Sequence, residues 1–134
     1  MEKEMDIRSV LTLEKLLFDK IEFQRKGFKS NQAIEFKIGV TIDKKSDENV
    51  YRVHLALEGN KEQEYTIEIA AIGYFSFDNS EDLSEERKST LINKNAVAIM
   101  MPYLRSEVSL LTAQPEVDCV VLPPFNVSKL LDQD

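Results

Sequence analysis

Residues 95–131 read NAVAIMMPYLRSEVSLLTAQPEVDCVVLPPFNVSKLL. As far as Thr112, apolar residues return every three or four positions, the spacing of one helix surface. Ile92, Ala96, Ile99 and Tyr103 form one stripe; Val97, Met101, Leu104, Val108 and Leu111 form a neighbouring one. Together they make an apolar arc wider than one sheet face needs. Two readings stay open: the surplus meets another polypeptide, or the helix is buried deeply within its own domain. Pro102 lies inside the pattern, where it cannot donate to the Ala98 carbonyl and its ring crowds that oxygen. The helix therefore kinks at Pro102 or restarts there, and stripes that keep phase across it favour a kink. Past Pro115 no long helix fits. Val117, Cys119 and Val121 alternate with Asp118 and Val120 as in extended chain, and Pro123-Pro124 keeps the backbone extended. Asn126 can then cap a short helix over residues 127–131.

Upstream the period changes from helical to two. Ile34, Phe36, Ile38, Val40 and Ile42 face one way and Glu35, Lys37, Thr41 and Asp43 the other, as in a half-buried strand. Tyr51, Val53, Leu55 and Leu57 repeat the pattern, with Arg52, His54 and Glu58 opposite. Residues 59–62, Gly-Asn-Lys-Glu, read as a turn. Tyr65, Ile67 and Ile69 open a further strand through Gly73, Phe75 and Phe77. A weaker strand covers residues 16–24, carried by Phe18, Ile21 and Phe23. Short links predict an antiparallel meander; the longer first link, residues 25–33, can carry the chain across an edge. Ser84 caps the long helix, with Glu85 and Glu86 where its dipole favours anions. The expected fold class is α+β in one domain over residues 1–134: a four-stranded antiparallel sheet, a long helix and a short C-terminal helix.

The chain has 134 residues, a net charge of −7 and 43% hydrophobic residues. Its acidity speaks against nucleic acid and against anionic membranes. Ala96–Met101 is the longest apolar run, far below the ~20 residues that insert across a bilayer. One cysteine, Cys119, permits no internal disulfide. The first residues lack the n- and h-regions of a signal peptide, so a cytoplasmic protein is expected.

Little suggests catalysis. The four glycines form no phosphate loop, and Cys119 with His54 is too few ligands for a metal. A Cys–His nucleophile pair is the enzymatic alternative; a buried thiol and a solvated imidazole is the plain one. A symmetric turn at Gly59 would set His54 beside Glu68. The carboxylates, Glu62 and Glu64 among them, read as solvated surface. No cofactor is expected.

Ala98–Glu107 (AIMMPYLRSE) followed by VLPPFNV at 121–127 resembles the signature region of the SecB family of protein-export chaperones, which pairs a Pro-Tyr-x-Arg helix with a later Leu-x-Pro-Pro corner. Gly73-Tyr74-Phe75-Ser76-Phe77 and Lys20-Ile21-Glu22-Phe23 resemble that family's strands. The resemblance runs from about Leu16 to Leu131. It implies a homotetramer, a dimer of dimers packed through the long helices, with Val97, Met101, Tyr103, Leu104, Val108 and Leu111 as interface. It implies binding of unfolded client polypeptides, without nucleotide or metal, in grooves carrying Phe28, Val120, Leu122 and Phe125; packing of these residues against the sheet is the plain alternative. It also implies docking of the SecA motor on acidic residues of the exposed sheet face. Glu68 matches one such position, but Lys20 and Gln24 occupy two others and an acidic tail is missing, which puts SecA in doubt. A SecB-like chaperone dedicated to one client, such as the antitoxin of a toxin–antitoxin pair, is the alternative.

Overall fold

The computed structural model describes residues 11–44, 50–77 and 84–123. Four strands, β1 (Leu11–Arg25), β2 (Ile34–Lys44), β3 (Val50–Lys61) and β4 (Tyr65–Phe77), form one antiparallel sheet in the order β1-β4-β3-β2. β2, β3 and β4 are a meander; the link after β1 carries the chain from one sheet edge to the other. A long helix follows as α1 (Glu85–Leu91), a π-helical turn (Ile92–Ala96) and α2 (Val97–Thr112). Ser84 caps it, its hydroxyl accepting the Arg87 N–H at 3.1 Å. The helix runs through Pro102 without restarting. The expected helix at 127–131, like Phe125, lies outside the described residues.

β1 is longer than its pattern suggests, and its register explains why. Leu11, Leu13, Leu16, Phe18, Ile21, Phe23 and Arg25 pair in turn with Phe77, Phe75, Gly73, Ala71, Ile69, Ile67 and Tyr65. Two of these steps span three residues. β-Bulges at Glu14 and Asp19 take up the extra residue each time, so the apolar face stays inward although the sequence period is broken.

The turn between β3 and β4 falls at residues 62–64, not 59–62. Gly59 belongs to the strand: a Cβ there would stand 2.9 Å from the Phe36 ring, so it is glycine to admit that ring. The turn itself is closed by the Glu64 N–H on the Lys61 carbonyl at 3.0 Å, with Gln63 in the left-handed region at φ 71°. His54 consequently faces Ile72, while Glu68 faces Glu58.

The core lies between the helix and the inward rows of β1, β3 and β4. Ile92, Ala96, Val97, Met100, Met101, Leu104 and Val108 are all buried. In a regular α-helix Ile92 and Ala96 would point well away from Val97 and Met101. The π turn holds one residue more than an α turn and brings both groups onto one face. The five apolar residues of β2 are only half-buried.

Candidate functional site

Exposed apolar side chains converge on two loops beside the open end of the sheet. The first is the crossover, residues 26–33. Its Phe28 is 92% exposed. The second is residues 113–123, where Val121 is 72% exposed and the neighbouring helix residue Leu110 is 68% exposed. Leu110, Ala113, Cys119 and Val121 line a broad concavity of about 570 Å³ with Arg105 and Ser109.

Both loops are fastened by polar groups. Arg25 donates to the Glu116 carbonyl at 3.2 Å and Lys29 pairs with Asp118 at 2.9 Å, which joins the loops to each other. The Lys29 ammonium holds the Asp118 carboxyl below its ordinary pKa. Val120 is gripped twice: its N–H donates to Thr112 Oγ1 at 2.8 Å, and its carbonyl accepts from Ser109 Oγ at 2.9 Å. This fixes which side chains turn inward. Leu122 enters the core at 2% exposure and Val120 packs half-buried against it, leaving Val121 outside.

These positions revise the expectations for individual residues. Phe28 is open to solvent on the crossover loop. Leu122 is not, and Val120 is so only in part, because the Thr112 and Ser109 hydroxyls set the rotation of the loop. On the helix, Val97, Met101, Leu104 and Val108 fill their own subunit's core and are not available to a neighbour. Of the expected interface set, Tyr103 is 48% exposed, and Leu111 is half-buried and packed against the core. Leu110 and Val121, which the pattern did not single out, are the larger exposed surfaces.

On the opposite, outward face of the sheet a charged row crosses the strands. Glu22, Glu68 and Glu58 lie directly across from one another on β1, β4 and β3, and Lys37 on β2 ends the row. They border a depression of about 420 Å³. Lys20 forms an ion pair with Glu68. Its hydrogen bond and charge hold the Glu68 carboxyl below, and its own ammonium above, their ordinary values. So the carboxylate at the expected docking position is neutralised by the lysine that departs from the family pattern.

Among the described residues, His54 and Cys119 are not brought together. His54 lies on the outward face of β3, whereas Cys119 is exposed in the 113–123 loop on the helix side, 3.6 Å from the Ser109 carbonyl. The thiol is therefore exposed rather than buried, and no pair with His54 forms. Among the described residues no cluster of acidic, His and Cys side chains is arranged to hold a metal, and no helix is long and apolar enough to cross a membrane.

A four-stranded antiparallel sheet backed by one long helix, with two cross-tied loops presenting apolar side chains, is a fold of the α+β class. Comparison with known proteins says which. The family model described as preprotein translocase subunit SecB matches residues 8–134, and the chain belongs to the SecB family, whose members are chaperones rather than enzymes. The chain is also similar in structure to the Mycobacterium tuberculosis SecB-like chaperone Rv1957, solved in complex with a ChAD peptide from the antitoxin Rv1956 HigA1. The TM-score is 0.70 at 13% identity, covering 94% of this chain and 98% of that one. A protein of unknown function from Streptococcus agalactiae aligns with a TM-score of 0.40 at 10% identity, over 84% of this chain and 96% of that one. No curated protein matches.

Proposed function

We propose that this SecB-family chaperone is a cytoplasmic holdase that binds unfolded preproteins for export, through Phe28 and the concavity between the helix end and residues 113–123. One observation carries the reading: a phenylalanine 92% exposed at the tip of a loop whose backbone is held by charged and hydrogen-bonding groups. An exposed aromatic side chain on a fixed loop loses little entropy when it meets a client, and burying apolar surface gains ~25 cal/mol per Å² with little demand on client sequence. Neither step needs nucleotide or metal. Val120 contributes backbone shape and partial apolar surface; Phe125, outside the described residues, remains a candidate from the sequence alone.

The working form is a homotetramer, a dimer of dimers. Several grooves on one particle let a long client bind at more than one point and gain avidity. Tyr103 on the outer side of the helix marks the contact surface. Glu68 remains the candidate contact for the SecA motor, weakened by Lys20.

The Lys20–Glu68 pair favours a second reading, in which the chaperone serves a single client rather than the export motor. The antitoxin peptide seen with the mycobacterial neighbour supports it. Capture with the tagged protein from its own cells separates them: many unfolded precursors with SecA support export, and one dominant small partner supports the dedicated role. Recovery of neither, with no delay in aggregation of a denatured protein, overturns both.

A further inference from the structure

Glu64 lies in a run of polar residues, N-K-E-Q-E, and yet is fully buried. Its Oε1 accepts the Ser30 N–H at 2.9 Å and pairs with the Lys61 ammonium at 3.0 Å. Its carbonyl accepts the Lys26 and Gly27 N–H groups at 2.7 and 3.2 Å. One residue thus grips the crossover loop on both sides of Phe28. The fit is close: a Cβ on Gly27 would stand 2.5 Å from the Gln63 carbonyl oxygen, so the loop rests directly on the β3–β4 turn. Ser30 Oγ adds a bond to the Glu62 carbonyl at 3.1 Å. Residues 26–33 place no side chain in the hydrophobic core. Hydrogen bonds, and not packing, fix this loop.

We propose that Glu64 is the positioning residue of the client site: it holds the crossover loop so that Phe28 stands outward before a client arrives, without touching the client itself. The inference rests on the Phe28 reading above. A loop left free has to be ordered as the client binds, and fixing even one backbone residue lowers affinity by about fivefold to thirtyfold.

The test measures binding of fluorescein-labelled, reduced and carboxymethylated α-lactalbumin, a chain that cannot refold, to the full-length protein by anisotropy. Hydrogen exchange is followed alongside at the amides of Lys26, Gly27 and Ser30. Glu64→Ala removes the carboxylate; Ser30→Pro, which removes the N–H it accepts together with the Ser30 hydroxyl's bond to the Glu62 carbonyl, stands in if Glu64→Ala does not fold. Each variant is expected to lose protection at the amides of Lys26 and Gly27, Glu64→Ala also at Ser30, and to bind about fivefold or more weakly. A double-variant cycle separates positioning from general destabilisation: in a Phe28→Ser background neither change should weaken binding further. Unchanged binding with unprotected amides overturns the proposal, as does the same loss with and without Phe28. If Phe28→Ser alone leaves binding intact, the groove reading fails first and this inference falls with it.

Discussion

The Thr112 hydroxyl accepts the Val120 N–H at 2.8 Å and donates to the Val108 carbonyl at 2.9 Å, so one buried side chain ties the 113–123 loop to the last turn of the helix. Thr112→Val keeps the volume and removes the acceptor, leaving a half-buried N–H unpaired. The expected loss is about 1–3 kcal/mol, read as a lower urea midpoint at unchanged slope. A midpoint equal to that of the wild type would remove the anchoring role.

Phe28 and Leu122 should respond in opposite ways. Phe28→Ser changes a fully solvated ring, so stability should stay within about 0.5 kcal/mol while protection of a denatured client from aggregation falls. Leu122→Ser empties a core position, and should cost about 2–5 kcal/mol. Light scattering of an aggregating client, with a denaturant curve for each variant, checks both.

The helix offers a matching contrast. Tyr103→Glu places a charge on the outer face and should lower the particle mass measured by light scattering with the fold intact. Leu104→Glu buries a charge in a site with 0% exposure and should unfold the subunit. A Tyr103→Glu protein of unchanged mass rules out the outer helix face as the contact.

Glu64 makes stability depend on acid. Burial raises its pKa, but the Ser30 N–H, the Lys61 ammonium and the Arg25 charge outweigh that and hold it below the ordinary carboxylate value. In the unfolded chain the group titrates near ~4.3. A lowered native pKa means that the stabilisation is fully present above the unfolded value and is lost as pH falls through the native one. The stability gap between wild type and Glu64→Gln should therefore be constant above about pH 5 and shrink below about pH 4. A gap that widens with acid would reverse the sign. Denaturation curves between those limits read it out.

On the sheet, Lys20→Glu should raise the Glu68 pKa, since a like charge replaces its ion-pair partner. If the outward face docks the motor, the same change strengthens SecA capture by restoring an unneutralised acidic row. No capture by either form favours the dedicated role.

How far these features could be read from residue order depends on periodicity. The rows of β2, β3 and β4 alternate without interruption, and the helix declares itself through Ser84 and the recurring apolar positions, so these elements and their class follow directly. β1 was legible only in part because its bulges step the inward row by three. Gly59 serves the Phe36 ring and not a bend, so a turn read from that glycine falls too early and sets His54 opposite Glu68 instead of Ile72. In the helix, counting by 3.6 cannot anticipate a π turn, so residues that share one buried face looked like surplus surface. The 113–123 loop has no period at all. Which of Val120, Val121 and Leu122 turns inward is decided by two hydroxyls distant in sequence. Glu64 shows the same limit: nothing in N-K-E-Q-E marks the last glutamate as the one the crossover loop closes over.

The bulges at Glu14 and Asp19 make β1 unequal in its tolerance of insertion and deletion. Removing either residue would restore a plain two-residue step and leave every downstream side chain on its present face. Removing Glu22, which lies in a plain two-residue step, would instead transpose the strand beyond it, turning Phe23 to the outward face and Gln24 to the inward one. Length variation in this strand among relatives should therefore collect at those two sites, a pattern that an alignment can count.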